Sequence, residues 1–571
     1  MRGLFVLVLW VAQIDCLGHT VSRPDCVDHW RSLGLKSADY VFTTETEKSY
    51  ETFQRKLKRK ECEKEWTVII YMAANNDLRP FSYRDIWEME RVGSGSTLDV
   101  VVFLHTGRRW EKGKETQGQG GPRYYHIIRK PSGSDYQERF KAFVKKHPEF
   151  KLDSRQNQKA AEEAFLDQQG SQLIVSPVVK NFSKGDSGSI DDAATFLRWA
   201  YENFPSRRVQ LIGWSHGQGF DAKLPGTENE KAEFRKELEA FKKEEEKPPS
   251  KPTGRRGGFA FDESSGHHLY PNEIFYGLKK LNDDLRGGRK VDIVGSDACY
   301  MGDLAIAVQG ADAVRFQFGS ATIVQKKGFN YRTFLEWFSR HAQDETQALA
   351  AKIVELYGNS VSKQGSGHLY SSYYDPYSTM AVWDSERVVF FDRALNELGA
   401  QLNDWLDGDD SVGRRVSEMQ AIVRGTIRFG GISDDLFHFL QLLEDWSKSN
   451  YESASQRKDF QEMERWQRIV KLLQVDVSHT LTAAVLKWHT GVKYMRLGEK
   501  GGFRLSRGVS VWIPSTADEF VEMFPKYLES TLYHDEDKPN RASEWARWIR
   551  NLYPHAKFPP EIEKNIEKYF R

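Results

Sequence analysis

The chain is expected to fold as an α/β protein: a three-layer α/β/α sandwich around a mostly parallel central sheet, followed by an α-rich C-terminal elaboration. Three observations predict this. Val209 to Trp214 and Val291 to Val294 are apolar, β-branched runs that stop at small residues, the pattern of strands buried on both faces. Thr67 to Met72 and Leu98 to Leu104 repeat that pattern, and between them Tyr83 to Val92 carries Ile86, Met89 and Val92 at helical spacing, a strand–helix–strand unit. At 571 residues the chain exceeds one ordinary core, so a further region is expected beyond the sheet.

Residues 1–20 read as a secretory signal, with Arg2, an apolar stretch from Leu4 to Ala12, then a polar change. The apolar stretch is too short to span a bilayer. Gln13-Ile14-Asp15 lacks the small residues expected before a lipidated cysteine, which argues against an anchor at Cys16. Export without an anchor is therefore expected, to the medium, the periplasm or the cell surface. Removing the signal with Cys16 leaves Cys26, Cys62 and Cys299. In an oxidising compartment the first two can pair and leave Cys299 as the odd thiol; without an oxidant all three stay reduced. Residues 21–65 form a polar lead segment with the basic run Arg55 to Lys60, read either as a pro-region or as a solvated helix face. With 82 basic against 81 acidic residues, the charge balance gives no reason to expect nucleic acid as a partner.

Further along, Tyr124 to Ile128 and Gln172 to Val175 are expected to form an antiparallel ribbon around a charged helical insert. Ser189 and Asp192 offer a capping box to a helix whose buried side would carry Ile190, Ala194, Leu197 and Tyr201. Residues 222–257, rich in Lys and Glu and closing with KPPSKPTGRR, read as an exposed insertion. Ala313 to Gly319 makes another strand. The remainder, 336–571, alternates helices (Phe391 to Leu406, Leu436 to Trp446, Met463 to Leu473) with strands at Thr379 to Asp384 and Val509 to Pro514, which extend the central sheet or form a small second one. No metal-ligand spacing, CxxC pair or EF-hand loop is present.

The chemistry-bearing residues fall at strand ends. In open α/β sheets the ligand crevice lies beyond the carboxyl ends of the strands, where His216 and Cys299 are placed. A thiol becomes a nucleophile only with a base or a positive local potential. His216 supplies the first and the start of a helix at Asp303 to Val308 the second. Gly217 and Ala298 beside them let backbone N–H groups approach a substrate. Taken alone, a cysteine on an apolar strand is usually an inert core residue and a histidine a satisfied polar group; their pairing at two strand ends is what points to chemistry. Asn75, Asn76 and Asp77 face the same rim, with turn formation their plainer account.

Gly213-Trp214-Ser215-His216-Gly217 also fits the G-x-S-x-G nucleophile elbow, which would make Ser215 the nucleophile of a serine esterase. That reading lacks an upstream glycine-rich oxyanion stretch and a later histidine in a strand-end context, and it leaves Asp297-Ala298-Cys299 unexplained. A third reading keeps the fold as a non-catalytic peptide-binding module.

Four blocks in order, WTVIIYMAANNDL (Trp66 to Leu78), the stretch Gly185 to Gly219 ending in LIGWSHGQG, GFAFDESSGHHLYPNEI (Gly258 to Ile274) and DIVGSDACYMG (Asp292 to Gly302), resemble the clostripain family of caspase-fold cysteine peptidases, the group of caspases, legumain and gingipains. The resemblance implies a caspase-like catalytic domain over 66–335, with 336–571 as an α+β elaboration. It implies an endopeptidase that cuts protein or peptide substrates through a thioester on Cys299. His216 serves as general acid and base, and the N–H groups of Gly217 and Cys299 hold the oxyanion. It further implies activation by a cut between His216 and Cys299, for which Lys247, Lys251, Arg255 and Arg256 are exposed candidates. Asp297 and Ser320 match positions that build the pocket for the residue before the cut bond, where acid favours Arg or Lys. Ser320-Ala321-Thr322 departs from the expected glutamates, and Lys326-Lys327 is basic where acid is expected. No cofactor is required for the chemistry; calcium is associated with the family, with no ligands assignable here.

Overall fold

Ten residues rich in β-branched and aromatic side chains, Lys64–Ala73, form the strand β1 around which the sheet is laid. The computed structural model describes residues 63–95, 97–111, 114–129, 135–150, 152–220, 258–362, 375–407, 412–429, 433–491, 506–528, 534–535 and 538–570. The signal segment, Cys16, Cys26, Cys62, nearly all of the lead segment and the insertion with Lys247, Lys251, Arg255 and Arg256 lie outside them.

After β1 come α1 (Arg79–Met89), β2 (Leu98–His105), β3 (Arg123–His126), β4 (Val178–Asn181), α2 (Ile190–Asn203), β5 (Ser206–Trp214), α3 (Pro271–Arg286) and β6 (Val291–Asp297). Then follow α4 (Leu304–Gln309), β7 (Val314–Gly319), α5 (Tyr331–Arg340), α6 (Thr346–Val361), β8 (Thr379–Asp384), α7 (Ser385–Leu406) and β9 (Val485–Thr490). These nine strands make one sheet in the order β9-β8-β7-β6-β5-β1-β2-β3-β4. The five central strands from β7 to β2 run parallel. Antiparallel β3 and β4 close one edge, and antiparallel β8 and β9 the other.

Strand alternation sorts β1 between two cores. Ile69, Tyr71 and Ala73 face the layer that holds Phe196 of α2, Leu278 of α3, Leu304 of α4 and Phe391 of α7. Trp66, Val68, Ile70 and Met72 face Ile86 of α1, Phe334 of α5 and Leu349 of α6. Helices on both faces of a mostly parallel sheet are the three-layer sandwich that the apolar runs predict.

Several elements differ from the sequence expectation. The first helix starts at Arg79 rather than Tyr83, because Pro80 fits the first helical turn. β3 pairs with Val178–Asn181 and not with Gln172 to Val175. The side chain of Glu90 accepts the N–H groups of Val175 and Ser176 at 2.8 and 2.6 Å, so these donors are unavailable to a strand ladder. Ser189 begins α2 without a side-chain cap bond, since Asp192 instead accepts the N–H of Asp186 at 2.6 Å. The buried side of α2 is Ala193, Phe196, Leu197, Trp199, Ala200 and Asn203; of the expected face only Leu197 is among them, and Ile190, Ala194 and Tyr201 are partly buried. β9 was not expected at all. Of Val509 to Pro514 only Ser510–Val511 is strand, paired to Ser433–Asp435 in a small three-stranded sheet.

β6 and β7 pack closely where the site is built. Gly295 sits opposite Phe318, and a Cβ on it would lie 1.9 Å from the Phe318 ring. Gly295→Ala is therefore expected to destabilise the fold by about 1–3 kcal/mol, the range for overpacking. The urea midpoint measures it; an unchanged midpoint would mean that the ring moves aside freely.

Candidate active site

Parallel pairing of β5 with β6 puts Gly213 opposite Ser296 and Trp214 opposite Asp297. Two residues further along each strand come His216 and Cys299, so the register carries both to the carboxyl rim on neighbouring strands about 4.8 Å apart. The two chains remain in contact beyond the ladder: a Cβ on Gly217 would lie 2.4 Å from the Cys299 carbonyl oxygen and 3.0 Å from the Ala298 Cβ. Only glycine allows that approach. Trp214 belongs to the core shared with α1, α5 and α6. Tyr357 of α6 packs in the same core.

His216 and Cys299 are both buried, at 3% and 4% exposure, so neither is a surface residue placed there by chance. The imidazole is held through Nε2 by Asp77 Oδ1 at 2.7 Å. The second oxygen of Asp77 lies 3.5 Å from the Lys326 ammonium. The thiol lies against Val324, whose N–H donates to Sγ at 3.3 Å and whose carbonyl is 3.6 Å away. Tyr300 follows in the left-handed region at φ 58°, a turn that separates Cys299 from α4. The helix begins at Leu304, with Asp303 accepting the Ala305 N–H at 3.0 Å.

Asp297 projects toward the loop that returns from β7. Its Oδ2 accepts from the Phe329 N–H and the Tyr331 hydroxyl, each at 3.1 Å, while Oδ1 is buried without a hydrogen-bond partner. Burial pushes its carboxyl up to about 6 against the lowering effect of those two donors. Ser320 is placed differently. Its hydroxyl is fully buried among Thr322 and Thr379 hydroxyls at 3.3 and 3.0 Å. Ser215, the rival nucleophile, donates to the Ala73 carbonyl at 2.9 Å and lies 3.4 Å from Asn76 Nδ2; among the described residues no imidazole bonds to it.

Sequence reading left Val324 and the buried face of α1 without a role, placed Asp77 at the rim as a turn residue, and noted Lys326 only as basic where acid is expected. The NND run does build the turn after β1. Asn76 bonds the Ala73 and Phe261 carbonyls at 3.0 and 2.9 Å and accepts the Leu78 N–H at 3.0 Å, while Asn75 bonds Asp262 at 2.6 Å. Behind it, Asp85 takes the Trp214 indole N–H at 2.8 Å, and Arg84 bonds the carbonyls of Lys326 and Lys327 at 3.2 and 3.1 Å. Among the described residues no group of three or more His, Cys, Asp or Glu is arranged to hold a metal ion. No helix of the described residues is long and apolar enough to cross a membrane.

A histidine and a cysteine brought to one rim of a three-layer α/β sandwich define the class of cysteine peptidases with a caspase-like fold. The profile of the clostripain family matches residues 247–548, more than half of the chain, and the chain belongs to that family. Cys299 lies within the matched span and His216 ahead of it. Among solved structures the chain is similar to a secreted C11 cysteine protease from Bacteroides thetaiotaomicron, "iotapain", at 13% identity and TM-score 0.47, over 82% of this chain and 99% of that one. It is also similar to an inactive zymogen C11 protease from Parabacteroides distasonis, at 14% identity and TM-score 0.45, over 82% and 97%. The Bacteroides thetaiotaomicron protease in complex with an irreversible peptide inhibitor gives 14% and 0.43, over 79% and 92%. No curated protein matches the chain.

Proposed function

We propose that the chain is an exported endopeptidase in which Cys299 attacks the scissile carbonyl and His216 exchanges the protons. The observation that carries this reading is the register of β5 and β6, which sets a buried imidazole and the thiol on adjoining strand ends. The thiolate sulfur bonds to the carbonyl carbon, and the oxyanion is held by the N–H groups of Gly217 and Cys299. On collapse the C–N bond breaks and His216 delivers a proton to the leaving amine. Water, activated by the same imidazole, then hydrolyses the thioester and restores the thiol. Cys299→Ala is expected to abolish peptide hydrolysis and the iodoacetamide label on the peptide that carries residue 299, while Ser215→Ala keeps most of the activity. A dead Ser215→Ala beside an active Cys299→Ala would establish the serine reading instead.

Preference for Arg or Lys before the cut bond is supported by Asp297, whose buried Oδ1 has no partner and suits a guanidinium. Its carboxyl is ionised above about 6, so recognition of a basic side chain is present at neutral pH and is lost as pH falls through that value. On paired fluorogenic peptides, kcat/KM for the arginyl substrate should fall below pH 6 more steeply than for an alanyl one. Asp297→Asn should remove both the preference and the pH difference; a variant with unchanged selectivity would exclude Asp297 as the determinant.

Activation by a cut within the insertion is supported by how its ends are held. Gly258 donates to the Gly219 carbonyl at 3.3 Å and Gln218 to the Gly258 carbonyl at 3.0 Å, next to a Gly217–Phe259 bridge. Cleavage between residues 221 and 257 would free two ends beside His216 while leaving the sheet whole. Intact mass of active enzyme is expected to show two fragments cut at Lys247, Lys251, Arg255 or Arg256. One uncut chain of full activity would exclude the step.

A further inference from the structure

We propose that Asp77 is a positioning residue that fixes His216 for proton transfer, with Lys326 as the counter-ion that keeps the carboxylate in place. The inference rests on the His216–Cys299 reading and adds a third member to it. One oxygen of Asp77 is 2.7 Å from His216 Nε2, and the other is 3.5 Å from Lys326 Nζ. Such a contact commits Nε2 to the carboxylate and holds the ring in one orientation and one tautomer.

The aim of the carboxylate is set by the chain on both sides. Asn75 and Asn76 tie the preceding turn to Asp262 and to the carbonyls of Ala73 and Phe261. α1 starts two residues later. Lys326 is itself held, since Arg84 of α1 bonds its carbonyl at 3.2 Å and its ammonium lies over the Phe81 ring at 5.8 Å. Two residues before it, Val324 touches the Cys299 sulfur. A single short stretch thus contacts the thiol directly and the imidazole through Asp77. Among the described residues the charged groups that bear on the imidazole include Asp77 and, beyond it, Lys326, while Arg84, paired with Asp85 at 2.9 Å, bonds the Lys326 carbonyl. A purely structural account would have Asp77 serve only to close the turn, and that account does not need the imidazole contact.

The test uses full-length protein and a fluorogenic peptide, with His216→Ala and Cys299→Ala as references. Asp77→Asn should lower kcat by roughly 10²-fold or more with KM little changed, the pattern of a lost orienting carboxylate. Asp77→Glu should restore part of the rate. Lys326→Met should lower kcat less than Asp77→Asn does, again with KM little changed, as the carboxylate loses its cation. Wild-type kcat in both variants, with His216→Ala inactive, would overturn the role of Asp77 and leave the two-residue reading standing. Wild-type rates in His216→Ala would instead overturn that reading. If Asp77→Asn fails to fold, the Lys326→Met kcat decides alone, a lowered value at unchanged KM supporting the role and a wild-type value excluding it.

Discussion

Strands β5 and β6 pair in parallel with Trp214 opposite Asp297, and each leaves the sheet immediately afterwards. In a parallel ladder both chains exit at the same rim, so a residue two past the end of one strand lies beside the residue two past the end of the other. A one-residue slip would turn His216 and Cys299 to opposite faces, because side chains alternate with period two. Burial on both sides forbids the slip. Val209, Leu211 and Val294 pack in one core and Ile212, Trp214 and Ile293 in the other, so shifting either strand would exchange two well-filled faces. The placement of the pair is thus a property of the whole sandwich rather than of the loops that carry it.

α1 is the second constraint, and an unusual one. Ten of its eleven residues are buried, among them Arg84, Asp85 and Glu88. Removing such charges from water is costly unless they are paired and hydrogen-bonded. Here Arg84 pairs with Asp85, Asp85 holds the Trp214 indole, Arg84 holds the carbonyls of Lys326 and Lys327, and Glu88 accepts the Tyr331 N–H at 3.1 Å. Burial drives the Asp85 carboxyl well above its ordinary range, and the Arg84 charge opposes that. The helix therefore ties the histidine strand to the loop after β7, the two pieces of chain that must stay aligned for Cys299, His216 and Asp297 to share one rim.

The sandwich was legible because its signals are local: continuous apolar runs for the parallel strands, glycine or serine at their ends, and 3.6-residue spacing between them. The position of His216 and Cys299 just past two strand ends was legible for the same reason. What escaped depends on partners far along the chain. β9 reads VLKWHT, an alternating edge strand next to a helical stretch, and only its antiparallel partner β8 identifies it. Val175 and Ser176 look like strand until the remote Glu90 takes their donors. Asp77 looked like one more turn residue in NND, since nothing near it announces that the imidazole 139 residues later will meet it. The family profile brings in Cys299 but begins beyond His216, so the histidine rests on the strand pattern and the register alone.

The loop from 320 to 331 gathers these contacts into one segment. Val324 meets the thiol, Lys326 meets Asp77, and Phe329 and Tyr331 meet Asp297. A neutral thiol can donate to the Val324 carbonyl at 3.6 Å, whereas a thiolate can only accept, and the Val324 N–H at 3.3 Å is there to be accepted. Ionisation of Cys299 therefore keeps the contact with the Val324 N–H and gives up the one with the carbonyl of the same residue. Cys299 is only 4% exposed, and Val324 lies against its sulfur. Because the same loop contacts Asp77 through Lys326 and Asp297 through Phe329 and Tyr331, the surroundings of Cys299, His216 and Asp297 are joined through one stretch of backbone.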